Sequence, residues 1–200
     1  MVFSQSPRLP QDLKIVTVDS PLKDVLKKKT EEIKENELPL ASEIAKKLFL
    51  ALTPYLPAAG LAAPQIGISK SVFIFSFDRN PENLEAVVNP SFTPADSRKI
   101  KGWEACFSVI LSNGVWKIAE VPRYEKIRVT YLNLKGERIE KILEGFAAKV
   151  FQHEYDHLQG IENIDREDAV VKTFDTKEEL LTYMQEIKKQ DSEHYKRPQK

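Results

Sequence analysis

The chain has 200 residues, 42% of them hydrophobic, and 30 basic residues balance 30 acidic ones to a formal net charge of zero. That length and apolar content can fill one sizeable core, so residues 1–200 read as a single domain. The balanced charge argues against specific nucleic-acid binding, no apolar run is long enough to span a bilayer, and a single cysteine cannot close an internal disulfide.

From the N-terminus, MVFSQSPRLPQDLK has neither an apolar stretch of signal-peptide length nor the Arg-rich, acid-poor look of an organelle presequence, which makes the cytoplasm the expected location. Leu22 to Ile33 is charged and helical in pattern, with Ser20-Pro21 as its start. Ser42 to Leu52 is amphipathic, with Ile44, Leu48 and Leu52 aligned, and Pro54 and Pro57 end it. Ser71 to Phe77 reads as a buried strand. Ala86 to Phe92 and Lys126 to Leu132 alternate as strands, Lys135-Gly136 turns the chain, and Arg138 to Leu143 returns it. A helix over Leu143 to Leu158 follows, stopped by Gly160. A terminal helix is predicted over residues 176–190, with Thr176 as cap and Glu179 completing a capping box, before a charged tail at 191–200. The order predicts an α+β fold: antiparallel strands packed around a central helix, with a C-terminal helix.

The central helix holds the most informative residues. Gln152-His153-Glu154-Tyr155-Asp156-His157 contains HExxH and uses two of only three histidines. Positions i and i+4 share a helix face, so His153 and His157 can grip one ion, and Glu154 can act as general base on a water that the ion activates. Tyr155 points away from that face, and Asp156 reads as a supporting carboxylate, through Arg123, or as a solvated one. A catalytic site of this kind needs a third protein ligand. His194 lies in the charged tail. Cys106 is the other soft donor, although a lone cysteine is more often a small buried apolar residue. A zincin-type metalloprotease would instead draw its third ligand from downstream, as Glu162 or Asp165.

Three segments taken together resemble the peptide deformylase family. They are Ala58-Ala59-Gly60-Leu61-Ala62-Ala63-Pro64-Gln65, Glu104-Ala105-Cys106-Phe107-Ser108, and Gln152 to His157, in the family's order; Val121-Pro122-Arg123 resembles a further family segment. The resemblance runs from Leu13 to Asp165. It implies that Cys106, His153 and His157 bind one divalent ion, ferrous iron in most of the family, with zinc, nickel and cobalt as other occupants. It implies Glu154 as general base, and Gln65 and the backbone N–H of Phe107 as donors to an oxyanion. Gly60 and Leu61 are expected to line a peptide cleft, and Phe146 and Val150 a pocket for the first side chain. The implied substrates are N-formylmethionyl peptides, with the ribosome near its exit tunnel as a partner. Two other readings follow from the same residues: a non-catalytic binder of N-terminal peptides, and the zincin. Ala58 and Ala105 depart from the family by replacing glycines. Phe107 and Lys149 stand where aliphatic or apolar residues are usual. If Ala105 needed a positive φ, it would cost about 1 kcal/mol; in extended backbone its methyl would only narrow the cleft.

Overall fold

The computed structural model describes residues 14–78 and 80–195. The opening segment 1–13, the last five residues and the side chain of His194 lie outside that description.

Eight strands form two antiparallel sheets. The first has the order β1 (Gly60–Ala62), β2 (Val72–Phe75), β3 (Glu85–Pro94), β6 (Lys126–Leu132) and β7 (Arg138–Glu144); the second has β4 (Lys99–Ile110), β5 (Trp116–Tyr124) and β8 (Val170–Phe174). Helix α1 (Leu38–Leu52) packs on β1 and β2, and helix α2 (Gly145–Leu158) contacts strands of both sheets. Helix α3 (Lys177–Tyr195) ends the described chain.

Strand β2 shows how the layers arise. All four of its residues are buried, because each face of the strand has a helix to cover. Val72 and Ile74 join the cluster built on Ile44, Leu48 and Leu52 of α1, whereas Phe73 and Phe75 join Ala148, Phe151 and Leu158 of α2. The rings of Phe73, Phe75 and Phe151 meet edge to face at 5.2–6.0 Å, the geometry that aromatic quadrupoles favour. Helix α2 is therefore central, and its polar residues must find partners inside the protein.

Several expected elements are adjusted. Leu22 to Ile33 is not a helix; only a short 3-10 turn forms at Lys23–Lys27. The backbone beyond that turn bonds elsewhere: Thr30 N–H donates to Leu158 O at 2.9 Å and Glu31 N–H to Ser69 O at 3.2 Å. The expected strands at Ser71–Phe77, Ala86–Phe92 and Arg138–Leu143 are all present with shifted ends, and Lys126–Leu132 forms as expected. Leu143 and Glu144 close β7, so α2 begins two residues later than expected, at Gly145 with φ +59°. Gly160 does stop it, with φ +75°, and a Cβ there would lie 2.7 Å from the backbone of Lys27. The β4–β5 hairpin and β8 have no counterpart in the sequence reading. A glycine, a proline and lysines interrupt their alternation, and the hairpin turns at Gly114, φ +85°. Among the described residues no helix is long and apolar enough to cross a membrane.

Candidate active site

The interior of α2 and the middle of β4 meet at the site. His153 and His157 lie one turn apart, their rings 5.0 Å between centroids and nearly perpendicular. Cys106 comes from β4, with Sγ 3.3 Å from His157 Nε2. One ligand atom from each of Cys106, His153 and His157 can be chosen so that all lie within 4.8 Å of one another.

Each imidazole is aimed by a carboxylate behind it. His153 Nδ1 bonds Glu104 Oε2 at 2.9 Å, and His157 Nδ1 bonds Glu162 Oε1 at 3.1 Å. With both Nδ1 atoms engaged, the Nε2 edges remain for a common ion, and such outer carboxylates fix the tautomer and raise ligand basicity. Glu162 thus braces a ligand instead of supplying the third ligand of a zincin. Asp165, the other zincin candidate, pairs with Lys27 at the surface.

Glu104 is itself held. Arg123 on β5 grips it with two bonds of 2.9 Å, from Nε and Nη2, and its Nη1 pairs with Asp156. Arg166 completes the chain to Asp156 at 3.1 Å. Asp156 is buried and ion-paired, so its role is support for the site and the solvated alternative fails. Gln152 docks the same helix on β5: Tyr124 N–H donates to its Oε1 at 3.0 Å, and its Nε2 donates to Tyr124 O at 2.8 Å. Tyr155 faces outward from the site and packs on Phe92.

Charge at the site follows from these contacts. Burial weighs against ionised Glu104, but Arg123 and His153 outweigh it and hold its carboxyl well below the usual range. Burial likewise opposes charge on the three ligands. Taken by themselves they charge one another: His157 and His153 lower the Cys106 thiol, Cys106 and Glu104 raise His153 to about 10, and Glu162 and Cys106 raise His157 well above its ordinary value. A buried thiolate beside two braced imidazoles fits a single transition-metal cation and suits neither magnesium nor calcium.

Glu154 differs from its neighbours. It is buried, and its Oε2 has no hydrogen-bond partner among the described residues. Burial pushes its carboxyl up, against the pull of His153 and His157. Its carboxylate fits against Gly60: a Cβ there would lie 2.5 Å from Glu154 Oε1. Any larger residue there would have to displace the Glu154 side chain from this position. Gln65 sits in a 3-10 turn after β1, where Ala62 N–H donates to its Oε1 at 2.9 Å, and its Nε2 reaches Ser108 Oγ at 3.1 Å and Cys106 Sγ at 3.4 Å. Its amide N–H2 is so directed at the ligand cluster. The β4–β5 register slips between Ala105 and Ile110, which takes the backbone of Phe107 out of the regular ladder.

A cavity of about 390 Å³ opens beside these groups, and Gly60, Gln65, Cys106, Phe107, Phe146, Val150, His153 and Glu154 all line it. Leu61 does not: its side chain is wholly buried in the cluster under α1, because neighbouring residues of a strand point to opposite faces. Ala58 and Ala105 line the cavity without positive φ, so their methyls narrow it and strain nothing. Phe107 stacks on Tyr55 at 4.7 Å, and Lys149 Nζ donates to Trp103 O at 2.7 Å. Glu104 and Glu162 as braces, and Met184 of α3 in the cavity wall, went unseen in the sequence. The braces had one available signal, a carboxylate near each ligand; Met184 had none.

The family model for polypeptide deformylase matches residues 12–173. The chain belongs to the polypeptide deformylase family. Among relatives, peptide deformylase 2 of Rickettsia conorii is 35% identical over 181 residues, covering 82% of this chain and 86% of that protein. Peptide deformylase 2 of Ralstonia nicotianae is 46% identical over 110 residues, 52% of this chain and 59% of the relative. That stretch and the one matching the Thermotoga petrophila deformylase span only 59% and 60% of those relatives' lengths. In three dimensions, the Met-Ala-Ser-bound class I type b peptide deformylase of Acinetobacter baumannii aligns with TM-score 0.67 at 32% identity, covering 77% of this chain and 98% of that one. The Thermotoga maritima enzyme aligns with TM-score 0.65 at 34% identity, over 77% of this chain and 96% of that one. Deformylase membership agrees with the Cys106, His153 and His157 cluster as a site for a single metal ion.

Proposed function

We propose that this protein is a metal-dependent hydrolase that removes the N-formyl group from the initiator methionine of nascent polypeptides and releases formate. One observation carries this reading: the Cys106 sulfur lies with both imidazoles around one point, and a buried Glu154 carboxylate stands beside it, its Oε2 without a hydrogen-bond partner among the described residues. A non-catalytic peptide binder would need neither that carboxylate nor Gln65. Thiolate and imidazole donors suit Fe(II), zinc, nickel and cobalt alike; Fe(II) is the occupant that the family resemblance implies.

An ion held by Cys106, His153 and His157 would supply Lewis acidity here, lowering the pKa of a water and polarising the formyl carbonyl. Glu154, raised by burial, takes the proton of that water as the oxygen attacks the formyl carbon. Gln65 Nε2 and the Phe107 N–H donate to the oxygen that gains charge. The bond from formyl carbon to nitrogen then breaks, Glu154 returns its proton to the departing amine, and the carbon leaves as formate. β1 and β4 are both edge strands of their sheets. An extended peptide between them would bond to their backbone as an added strand, with its first side chain toward Phe146 and Val150. The cytoplasm and the ribosomal exit tunnel are where such substrates emerge.

The test is formate release from formyl-Met-Ala-Ser by anaerobically prepared protein, paired with elemental analysis of the same sample. Metal-loaded protein that releases no more formate than its Glu154→Ala variant would end the proposal.

A further inference from the structure

We propose that α3 forms part of the wall of the peptide cleft and that Met184 is a specificity-determining residue, limiting the bulk of the first side chain accepted. The inference rests on the peptide-cleft reading above and adds a residue from outside the family's matched segment. That segment ends at residue 173, before α3 begins. Met184 nevertheless lines the same cavity as His153 and Glu154.

Its position is built, not incidental. Leu180 is 5% exposed and joins Ile118 and Phe174 in a small core, with Trp103, Trp116, Tyr183 and Met184 packed against it. The Tyr183 ring meets Trp103 edge-on at 5.4 Å and Phe174 at 5.3 Å, and Lys172 Nζ sits 3.6 Å from its centroid. Trp103 lines the cavity too, and its carbonyl accepts the Lys149 ammonium at 2.7 Å. Lys149 lies one helical turn before His153, so α3, β4 and the metal-bearing helix are joined through Trp103. Met184, next to Tyr183, is thereby set on the cleft. Its unbranched thioether adapts to a flexible apolar neighbour. A methionine side chain matches that surface, and a wider ring collides with it. Differences of one methylene in such pockets change selectivity about 10- to 200-fold.

The experiment compares wild type with Met184→Leu, Met184→Ala and Met184→Trp in the full chain. It reads formate release from formyl-X-Ala-Ser, where X is Met, norleucine or Phe, and separately calorimetric binding of Met-Ala-Ser and Phe-Ala-Ser. Metal content and melting temperature are measured on every sample. In Met184→Ala, the Phe:Met ratio of kcat/KM should rise about tenfold, and the binding ratio should move with it. Met184→Trp should lower the ratio, and Met184→Leu should stay near wild type. Ratios that remain within twofold across all variants, or equal losses for every X, overturn the inference. A wild type that binds Met-Ala-Ser but releases no formate defeats the proposed reaction alone, and the binding ratios still decide the role of Met184. Failure of wild type to bind either peptide defeats both.

Discussion

Helices α2 and α3 line one cavity and are held by opposite means. α2 buries Gln152, Glu154, Asp156 and His157 among its apolar residues, and Gln152, Asp156 and His157 are tied to a strand, an arginine or a carboxylate. Among its described side chains, α3 has one buried apolar anchor, Leu180, and it rests on Tyr183 and its aromatic neighbours. Directional, charged bonds in a low dielectric permit a single arrangement, because each loss leaves a buried polar group unpaired. Ring contacts are broad and tolerate small shifts. In the proposed reading, the general base Glu154 therefore sits on the charge-braced helix, and the adaptable α3 faces the substrate side chain that varies.

The sharpest way to break that contrast is Glu154→Ala. It removes the one carboxylate of α2 not committed to holding the structure. Turnover should fall about 100- to 10,000-fold, with metal content intact by elemental analysis. Turnover within a few-fold of wild type would refute the general-base assignment. Gln65→Ala should lower kcat roughly 100- to 1000-fold with metal unchanged; loss of metal would mean that Gln65 serves the ligands and not the reaction.

Arg123→Ala attacks the rigid side of the comparison. It leaves Glu104 with only His153 and Asp156 with only Arg166 as charged partners, and breaking a buried pair costs about 3–5 kcal/mol. Denaturant melts should register that loss, and metal affinity should drop by up to about 10- to 100-fold as Glu104, the brace on His153, is no longer held in place. Unchanged melts would show that the charged network does not stiffen α2. Acidity probes the same network. His153 is raised to about 10 and His157 well above its ordinary value, so an entering ion must displace protons at neutral pH. Metal affinity should accordingly rise with pH, by about tenfold per unit for each proton displaced. Chelator competition between pH 7 and 9 checks this. A flat response there is the behaviour of ordinary imidazoles, already neutral in that range, and would contradict the braced site. The smallest effect belongs to α3: Thr176→Ala removes the cap that accepts from Glu179 N–H at 3.2 Å. It should cost about 1 kcal/mol, visible in thermal melts and without effect on metal content.

What the sequence disclosed follows the range of each interaction. His153 and His157 were legible because helix geometry alone brings i and i+4 together. Cys106 lies 51 positions from His157, and only the family resemblance joined them. Glu104 was visible inside a motif yet silent about its task, since bracing His153 depends on Arg123 from another strand. The terminal helix was readable from its cap, although the Glu179 carboxylate bonds Asp175 N–H at 3.1 Å and not the cap residue itself. Leu22 to Ile33 misled because charged helical patterning cannot reveal that Leu158 and Ser69 claim its backbone. β4 and β5 escaped notice because the glycine, proline and lysines within them break the alternation that marks a strand.

The carboxylates behind the two histidines carry one more implication. Glu104 and Glu162 bond the rings from behind, so protein contacts, and not the ion alone, orient the imidazoles. Such a receptacle does not need to fold around a favoured cation. Because thiolate and imidazole donors accept several first-row ions, the identity of the resident ion should depend on metal supply as well as on the geometry of the cage.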